Sequence, residues 1–369
     1  IQSDLLAQLH ELFPLGEETL LYDTTNYFSF IDTFNDRCRL AQRGHNKQKR
    51  HDLRQLSLAL FEDDKTGLPL YHQCYEGSRP DVSQFTDAWQ AMIQTWVRAL
   101  RRRPEQLTFV FDAGNTSKDN LAALDDDPVC YVGAVPNHWA GELLEIPLDD
   151  YDKLCFRNYK HMKAHRLQYE WWGKERTFLL IFSPSFYKRQ RATMHRLQQD
   201  VEEKLIELAE TIARYDENRR GGQTEDSVRN KIGKWSRRDH LHEYLELTIE
   251  TDSKGKAVRL QWKWNRSKKR EVQRRFLGKK ILVTNRKDWT DSQILHAYNK
   301  LPCHEALFRI SKGRKGPWWP MHHWTDSKIR VHALYCHFAL LMLRIIEKKL
   351  RSSMSVDRAV ERLKQIHET

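Results

Sequence analysis

The near-continuous apolar run at residues 107–111, LTFVF, most restricts the folds open to this chain. Such a run is typical of a strand that is buried on both faces, and strands of this kind occur in sheets covered by helices on both sides. Strand-like and helix-like stretches surround it in the order strand, strand, strand, helix, strand, helix, strand. The pattern therefore predicts an α/β fold, a mixed sheet with flanking helices.

Two aspartates fall at informative places in these strands. Asp23 lies inside the first strand, where an acidic side chain is costly unless something pairs with it. Asp112 ends the fourth strand. The order of elements is that of the ribonuclease H-like fold, in which the first and fourth strands are neighbours. We therefore expect these two carboxylates to meet, with Asp32 and Asp36 in the next loop as alternatives to Asp23.

A third group of candidate residues comes from the stretch YNKLPCHEALFRISK. Tyr298, Glu305 and Lys312 are spaced seven residues apart, which on a continuous helix places them on nearly one side. Pro302 interrupts this spacing, so either the helix bends there or Glu305 lies in the first turn of a new helix. A solvated helix face is the alternative interpretation of the stretch.

Three carboxylates brought together in this way suit phosphoryl transfer. They can hold two divalent ions, one to activate an attacking oxygen and one to stabilise the leaving oxygen. Carboxylate ligands favour Mg²⁺ or Mn²⁺. Glu142 and Glu145 compete with Glu305 for the third position, but neither is accompanied by a matching helix.

Four blocks of the sequence resemble the DDE transposases of bacterial insertion sequences, in the subgroup marked by Tyr-x2-Arg-x3-Glu-x6-Lys. The blocks are YDTTNYF, RGHNKQKRHDLRQLSLALFEDDKTGLPL, FDAGNTSKDN and the stretch from Tyr298 to Lys312. The resemblance implies a ribonuclease H-like core with a partly β insertion between the second Asp and the Glu. It also implies that Asp23, Asp112 and Glu305 are catalytic metal ligands for two Mg²⁺ or Mn²⁺ ions, in DNA strand cleavage and strand transfer.

The resemblance further implies DNA contacts by Tyr298 and Lys312 near the scissile phosphate. Leu301 stands where the subgroup has Arg, so either Lys300 or Arg309 substitutes for it or this copy is weakened. The alternative functions are therefore a DNA-binding remnant of a transposase and a metal-dependent nuclease of the same fold without strand transfer.

The charge of the chain supports a nucleic-acid partner. The formal net charge is +12, which favours a polyanion. Two further groups are candidate DNA contacts: a basic loop, whose alternative is a solvated loop, and a pair of tryptophans, whose alternative is packing on the insertion's own helix. These residues are Arg43, Lys47, Lys49, Arg50, Trp262 and Trp264.

We expect three segments: residues 1–144, the first part of the catalytic core; residues 145–278, an insertion outside the central sheet; and residues 279–369, the rest of the core. The chain opens on Ile1, and we expect the N-terminal region that binds the element's ends in this family to be missing. By family analogy, the partners are double-stranded DNA and a second copy of the chain in a homodimer.

The cysteines and the apolar stretches bear on location. The six cysteines contain no CxxC pair, which indicates reduced thiols. The apolar run from Ala333 to Ile346 is interrupted and too short for a bilayer, so it predicts a buried helix and no membrane partner. We expect a cytoplasmic bacterial protein, associated with the nucleoid when bound to DNA.

Overall fold

The computed structural model describes most of the chain. Outside the described residues lie 17–18, 33, 47–49, 155–158, 216–221, 313–317, 319–320, 351–353, 355 and 366–369, together with the side chains of 303–306, 357, 360 and 363–364. The strands are β1 (Thr19–Ser29), β2 (Arg54–Asp63), β3 (Pro69–Glu76), β4 (Thr108–Phe111), β5 (Cys130–Val135), β6 (Asp152–Lys153), β7 (Lys163–Trp171), β8 (Lys174–Phe182), β9 (Leu245–Thr251), β10 (Ala257–Trp264) and β11 (Lys279–Thr284). The helices are α1 (Gln2–Leu12), α2 (Asp81–Leu100), α3 (Lys118–Asp126), α4 (Pro184–Ala213), α5 (Glu225–Ser236), α6 (Arg266–Phe276), α7 (Asp291–Tyr298), α8 (Leu301–Lys312), α9 (Asp326–Leu350) and α10 (Val356–Lys364).

Among the described residues, nine strands form one mixed sheet in the order β3-β2-β1-β4-β5-β11-β8-β7-β6. β1 pairs antiparallel with β2 and parallel with β4, and β4 pairs parallel with β5. The predicted neighbourhood of the first and fourth strands is thus confirmed. The first five strands, in the order 3-2-1-4-5 with the second antiparallel to the first, have the ribonuclease H-like arrangement.

Alternation along β1 divides its side chains between two cores, because successive residues of a strand point to opposite faces. Tyr22 packs against Phe61 and Phe85, with ring centroids 4.9 Å apart in each case, on the face that α2 covers. Tyr27 lies on the other face, in an apolar cluster that includes Phe308 of α8 and Ile329 of α9. Helices therefore cover both faces of the sheet, as the apolar run in β4 predicts.

The chain divides into two compact units. The first consists of Ile1–Pro136, Arg166–Leu179 and Ile281–Thr369, and the second of Asn137–His165 and Leu180–Lys280. The sequence predicts that residues 145–278 stand outside the central sheet, and this is wrong for β6, which pairs with β7, and for β7 and β8. Strands β7 and β8 extend the sheet next to β11, because a tight turn at Trp172 and Gly173, both with positive φ, folds them into adjacent strands.

The second unit has a core of its own. The β9–β10 hairpin, whose turn contains Gly255 at φ +71°, forms a separate two-stranded sheet. Leu205 and Leu208 of α4, Ile232 of α5 and Val272 of α6 are buried together with Leu260 of the hairpin. This unit therefore contains a small α/β core made from α4, α5, α6 and the hairpin.

Helix α9 is long and apolar enough, by length and composition, to cross a membrane. In this structure its Ala333, Cys336 and Leu340 side chains are buried in the same apolar cluster as Tyr27. One side of α9 therefore packs into this core, and 33% of its most apolar stretch is buried. The opposite side of α9 is exposed, including Tyr335 at 70%.

Candidate functional site

The two predicted aspartates lie on neighbouring strands at the same level. In the parallel β1–β4 pair, Leu21 is opposite Val110. Asp23 and Asp112 each follow two residues later, so continuing the register by two residues places them opposite each other. Neighbouring strands are about 4.8 Å apart, and residues two apart share a face. The strand pairing therefore brings the two carboxylates together on one face of the sheet.

That face is the one covered by α8. Asp23 has the same strand parity as Tyr27, whose hydroxyl lies 2.6 Å from Ser311 Oγ of α8. Across β2, Asp23 is paired with Leu60, a member of the same apolar cluster. Asp23 is half-buried, and its Oδ1 accepts a hydrogen bond of 2.7 Å from the backbone N–H of Thr24. The carboxylate thus stands at the edge of an apolar core.

Asp112 is held by the chain immediately after it. It caps a short 3₁₀ turn, and its Oδ1 accepts hydrogen bonds of 3.0 Å from the Gly114 backbone N–H and from Asn115 Nδ2. Asn115 is buried, and its carbonyl oxygen accepts from Asn120 Nδ2 at 2.8 Å. The turn thus fixes the orientation of an exposed carboxylate. Sequence reasoning missed Asn115, although an amide three residues after the Asp in FDAGN was the available signal.

Helix α8 runs along β1 in the same direction, and both of its ends are anchored. At the start, Lys300 Nζ lies 2.8 Å from Asp64 Oδ2, and the Asp64 backbone N–H donates to the Thr19 carbonyl oxygen at 3.2 Å. At the end, Ser311 contacts Tyr27. The beginning of α8 is therefore level with residue 19 of β1, and its end is level with residue 27.

These anchors locate Glu305, whose backbone lies in α8 while its side chain lies outside the described residues. Asp23 is midway between residues 19 and 27 of β1, and Glu305 is midway between residues 300 and 311, to within half a residue. The backbone of Glu305 thus lies between the two anchors of α8, as Asp23 lies between residues 19 and 27 of β1.

The seven-residue spacing itself does not operate through a continuous helix. Tyr298 is the last residue of α7, and α8 begins at Leu301 with Pro302 as its second residue. Proline is tolerated in the first turn, where its missing N–H has no helical partner. Of the two alternatives, a bent helix or a new one, the structure has the new one. The common-face argument for Tyr298 and Glu305 is therefore wrong, because they lie on separate helices.

Tyr298 nevertheless lies within electrostatic reach of Asp112. Burial raises the pKa of its hydroxyl, and the negative charge of Asp112 raises it further. Tyr22, on the other face of β1, has its pKa raised by burial first and then by Tyr75, Asp81, Asp23 and Asp112. Asp112 thus acts on both phenols and Asp23 on Tyr22, which indicates negative charge at this point of the sheet.

The predicted cations around α8 have different surroundings. Lys312 Nζ lies 5.3 Å from the centroid of the Tyr27 ring, a cation–π contact at the end of the helix. Arg309 is exposed, whereas Leu301 is buried. Lys300 forms the ion pair with Asp64 described above. Arg309 is therefore the better placed of the two candidate substitutes for the missing Arg.

The other predicted DNA contacts are only partly described. Arg43 and Arg50 are exposed, and Arg50 makes two hydrogen bonds of 2.8 Å to the Asp52 carboxylate. The hydrogen bond from Arg50 lowers the pKa of Asp52 to about 2. Lys47 and Lys49 lie outside the described residues. The loop thus presents cations to solvent, with one of them in an ion pair.

The two tryptophans of the insertion hairpin share a partner. Trp262 Nε1 donates to Glu202 Oε1 at 2.9 Å, and Trp264 Nε1 donates to the other oxygen of the same carboxylate. Glu202 belongs to α4, so both indoles pack on the insertion's own helix, the alternative considered for them. Their common partner shows that they lie on one face of β10. The signal for Glu202 is not local, because it precedes them by about 60 residues.

The donor set fits a hard divalent cation, because Asp23 and Asp112 supply carboxylate oxygens on one face. Among the described residues, no group of three or more His, Cys, Asp or Glu side chains could hold a metal ion. The side chain of Glu305 lies outside the described residues. The described part of the site is thus a pair of carboxylates.

No protein-family profile matches the sequence, and no curated protein matches it. A piggyBac transposase synaptic complex with hairpin DNA is similar in structure, with a TM-score of 0.42 and 9% identity over 95% of this chain and 52% of that one. The Mos1 mariner paired-end complex with Mn has a TM-score of 0.21 and 9% identity, over 34% of this chain and 38% of that one. A Mos1 transposase paired-end complex with the left transposon end has a TM-score of 0.21 and 10% identity, with the same coverages. The chain spans about half the length of the piggyBac chain and less of the Mos1 chains.

Proposed function

We propose that this chain is the catalytic region of a DDE transposase, which cleaves DNA strands and joins them to a target in the movement of an insertion sequence. The observation that carries the proposal is the register of β1 and β4, which continued by two residues places Asp23 opposite Asp112, just beyond β4. Glu305 belongs to α8, the helix that covers this face of the sheet. The three carboxylates would hold two Mg²⁺ or Mn²⁺ ions, which when bound activate the attacking oxygen and stabilise the leaving oxygen.

The residues around the carboxylates position the DNA. Tyr298 brings a phenolic donor within electrostatic reach of Asp112. Arg309 and Lys312 are the cations on α8 that we propose for phosphate contacts near the scissile bond. Lys300 is left out of this set, because its ammonium is already paired with Asp64. Arg43, Lys47, Lys49 and Arg50 remain proposed contacts of the basic loop.

The partner and the assembly follow from the same proposal. The substrate would be double-stranded DNA, at the ends of the element and at the target, and the net charge of +12 supports such a partner. A homodimer on paired ends is proposed by analogy with the family that the sequence resembles. A cytoplasmic bacterial location is part of the proposal.

The test is the nicking of supercoiled plasmid in Mn²⁺ by the intact chain, by Asp112→Asn and by Glu305→Gln. Loss of nicking in both variants is expected, because each removes a charged oxygen ligand without a large change of volume. Asp119→Asn is the matched control, since Asp119 is exposed on α3, a helix packed against α2 on the other side of the sheet. Nicking that survives both substitutions would contradict the assignment.

Two further measurements separate the alternative functions. A precut duplex with a free 3′-hydroxyl should become joined to a plasmid; nicking without joined products would indicate a nuclease of this fold. Calorimetric titration with Mn²⁺ should show binding that Asp112→Asn abolishes. DNA binding without metal binding would instead indicate a remnant, the alternative that the buried Leu301 at the start of α8 favours.

A further inference from the structure

Helices α4 and α6 of the second unit lie side by side and antiparallel. Successive contacts along α4 are made with residues of decreasing number in α6 and just beyond its end. Three contacts join them: Gly278 N to Gln190 Oε1 at 2.7 Å, Gln273 Nε2 to Met194 Sδ at 3.9 Å, and Lys269 Nζ to Gln198 Oε1 at 2.5 Å. The contacting positions define a stripe on each helix that faces the other one.

Five cations of the two helices fall on one side of this pair, whereas Arg189, Arg196, Lys268 and Arg275 lie elsewhere on the helices. Arg191 follows the stripe residue 190, and Arg270 and Arg274 follow stripe residues 269 and 273, so each is rotated by about 100° in the same sense. Because the helices are antiparallel, rotation in one sense leads to the same side of the pair. The same rotation places Lys188 and Arg266 on that side. We call these five exposed residues the cationic face: Lys188, Arg191, Arg266, Arg270 and Arg274.

The charged residues of these two segments are almost all positive. Residues 184–199 of α4 contain no Asp or Glu, and α6 contains one acid, Glu271. Burial lowers the pKa of Lys269, and Arg191 lowers it further. Burial also lowers the pKa of Lys279 to about 8, with Arg274 as the next contributor. Arg191 thus repels Lys269 and Arg274 repels Lys279, and a bound polyanion would relieve that repulsion.

We infer that the cationic face binds the phosphodiester backbone of double-stranded DNA. The inference rests on the proposed function, to which it adds a DNA-binding surface on the second unit, away from the three carboxylates in sequence. Four of its five cations are arginines, whose guanidinium groups match phosphate oxygens in a two-pronged geometry. Contacts of this kind fix the position of a duplex without reading its sequence.

The experiment measures the salt dependence of duplex binding by fluorescence anisotropy. A duplex of arbitrary sequence is titrated in EDTA at several salt concentrations with the full chain and with a triple variant, Arg191→Gln, Arg270→Gln and Arg274→Gln. Each phosphate contact adds about 0.9 to the slope of log affinity against log salt, so the triple variant should lose up to about 2.7 of that slope. EDTA keeps the result independent of metal binding and cleavage.

The control variant removes the same charge from other exposed positions of the second unit. It combines Lys234→Gln, Arg237→Gln and Lys254→Gln. The control should keep the slope of the intact chain, because long-range charge effects do not release counterions from specific phosphates. Equal losses of slope in both variants would overturn the inference, since net charge alone would then explain binding.

Two outcomes separate this inference from its neighbours. Competition by poly-glutamate as effective as that of DNA at equal charge would overturn it, because the face would then bind any polyanion. If the intact chain fails to nick plasmid while the triple variant shows the expected loss of slope, the proposed function is contradicted and the cationic face remains supported. Circular dichroism and thermal unfolding of the triple variant should match the intact chain, and Arg270→Glu alone should lower duplex affinity at least fivefold.

Discussion

Acidification should destabilise this fold through a buried pair of histidines. His72 of β3 and His337 of α9 are 6% and 2% exposed, and their ring centroids are 4.6 Å apart. Within the described part of the chain, neither ring nitrogen of His337 has a hydrogen-bond partner. Burial lowers the pKa of His72 from 6.5 to about 4. Burial also lowers the pKa of His337, and His72 lowers it further.

The sign and size of the effect follow from these surroundings. A lowered pKa in the folded state means that folding favours the neutral imidazole, so the stabilisation is complete above pH 6.5 and is lost as the pH falls towards 4. A difference of about 2.5 pKa units corresponds to about 3 kcal/mol for His72 alone. At pH 5 the expected loss is about 2 kcal/mol, a large part of the stability of an ordinary domain.

The measurement is urea unfolding of the intact chain and of His72→Phe at several pH values between 7 and 4.5. Other groups also titrate in this range, so the informative quantity is the difference between the two pH profiles. His72→Phe should reduce the pH dependence by about 2 kcal/mol between pH 7 and 5. His51→Gln, at an exposed position, is the control and should change nothing. Parallel profiles for the intact chain and His72→Phe would refute the reasoning.

Three further predictions concern contacts that position the site. A double-mutant cycle of Tyr27→Phe and Ser311→Ala should give a coupling energy of about 1 kcal/mol in urea unfolding, because either substitution alone already removes the buried hydroxyl–hydroxyl hydrogen bond of 2.6 Å. Additive effects would contradict this prediction. Asp125→Asn should destabilise the first unit by about 3 kcal/mol or more, since it leaves the buried Arg176 guanidinium without its carboxylate, and Arg176→Met with Asp125→Leu should recover most of the loss. Thr290→Ala should reduce the free energy of unfolding by about 1 kcal/mol and so lower the melting temperature, because it removes the capping box of α7. An unchanged melting temperature would count against that role.

The part of the fold that the sequence predicts well depends on signals inside a single element. The apolar run of β4 and the order of elements around it predict that Asp23 and Asp112 lie on adjacent strands, and the register places them opposite each other. Pro302 predicts an irregularity between Tyr298 and Glu305, and the structure resolves it into two helices. These features depend on local physics, in which a buried strand or a missing N–H leaves its mark on the sequence.

The features that the sequence does not predict depend on distant partners or on unusual turns. β7 and β8 join the central sheet through a turn in which Trp172, a residue that rarely adopts positive φ, precedes Gly173. The carboxylate of Glu202 selects the orientation of two indoles about 60 residues away. Neither signal is local, because a turn without Asn or Asp and a long-range hydrogen bond both depend on the assembled fold.

The distribution of charge along α4 makes that helix an oriented electric dipole. Its 30 residues span about 45 Å. Four of its five Lys and Arg residues lie in the first half, and the acids lie in the second half at Asp200, Glu202, Glu203, Glu207 and Glu210. This separation has the same sense as the dipole of the peptide backbone, so the two fields add. A polyanion would therefore experience a torque during approach and turn towards one end of the helix before any contact forms. At physiological salt this alignment would act over about the last 8 Å.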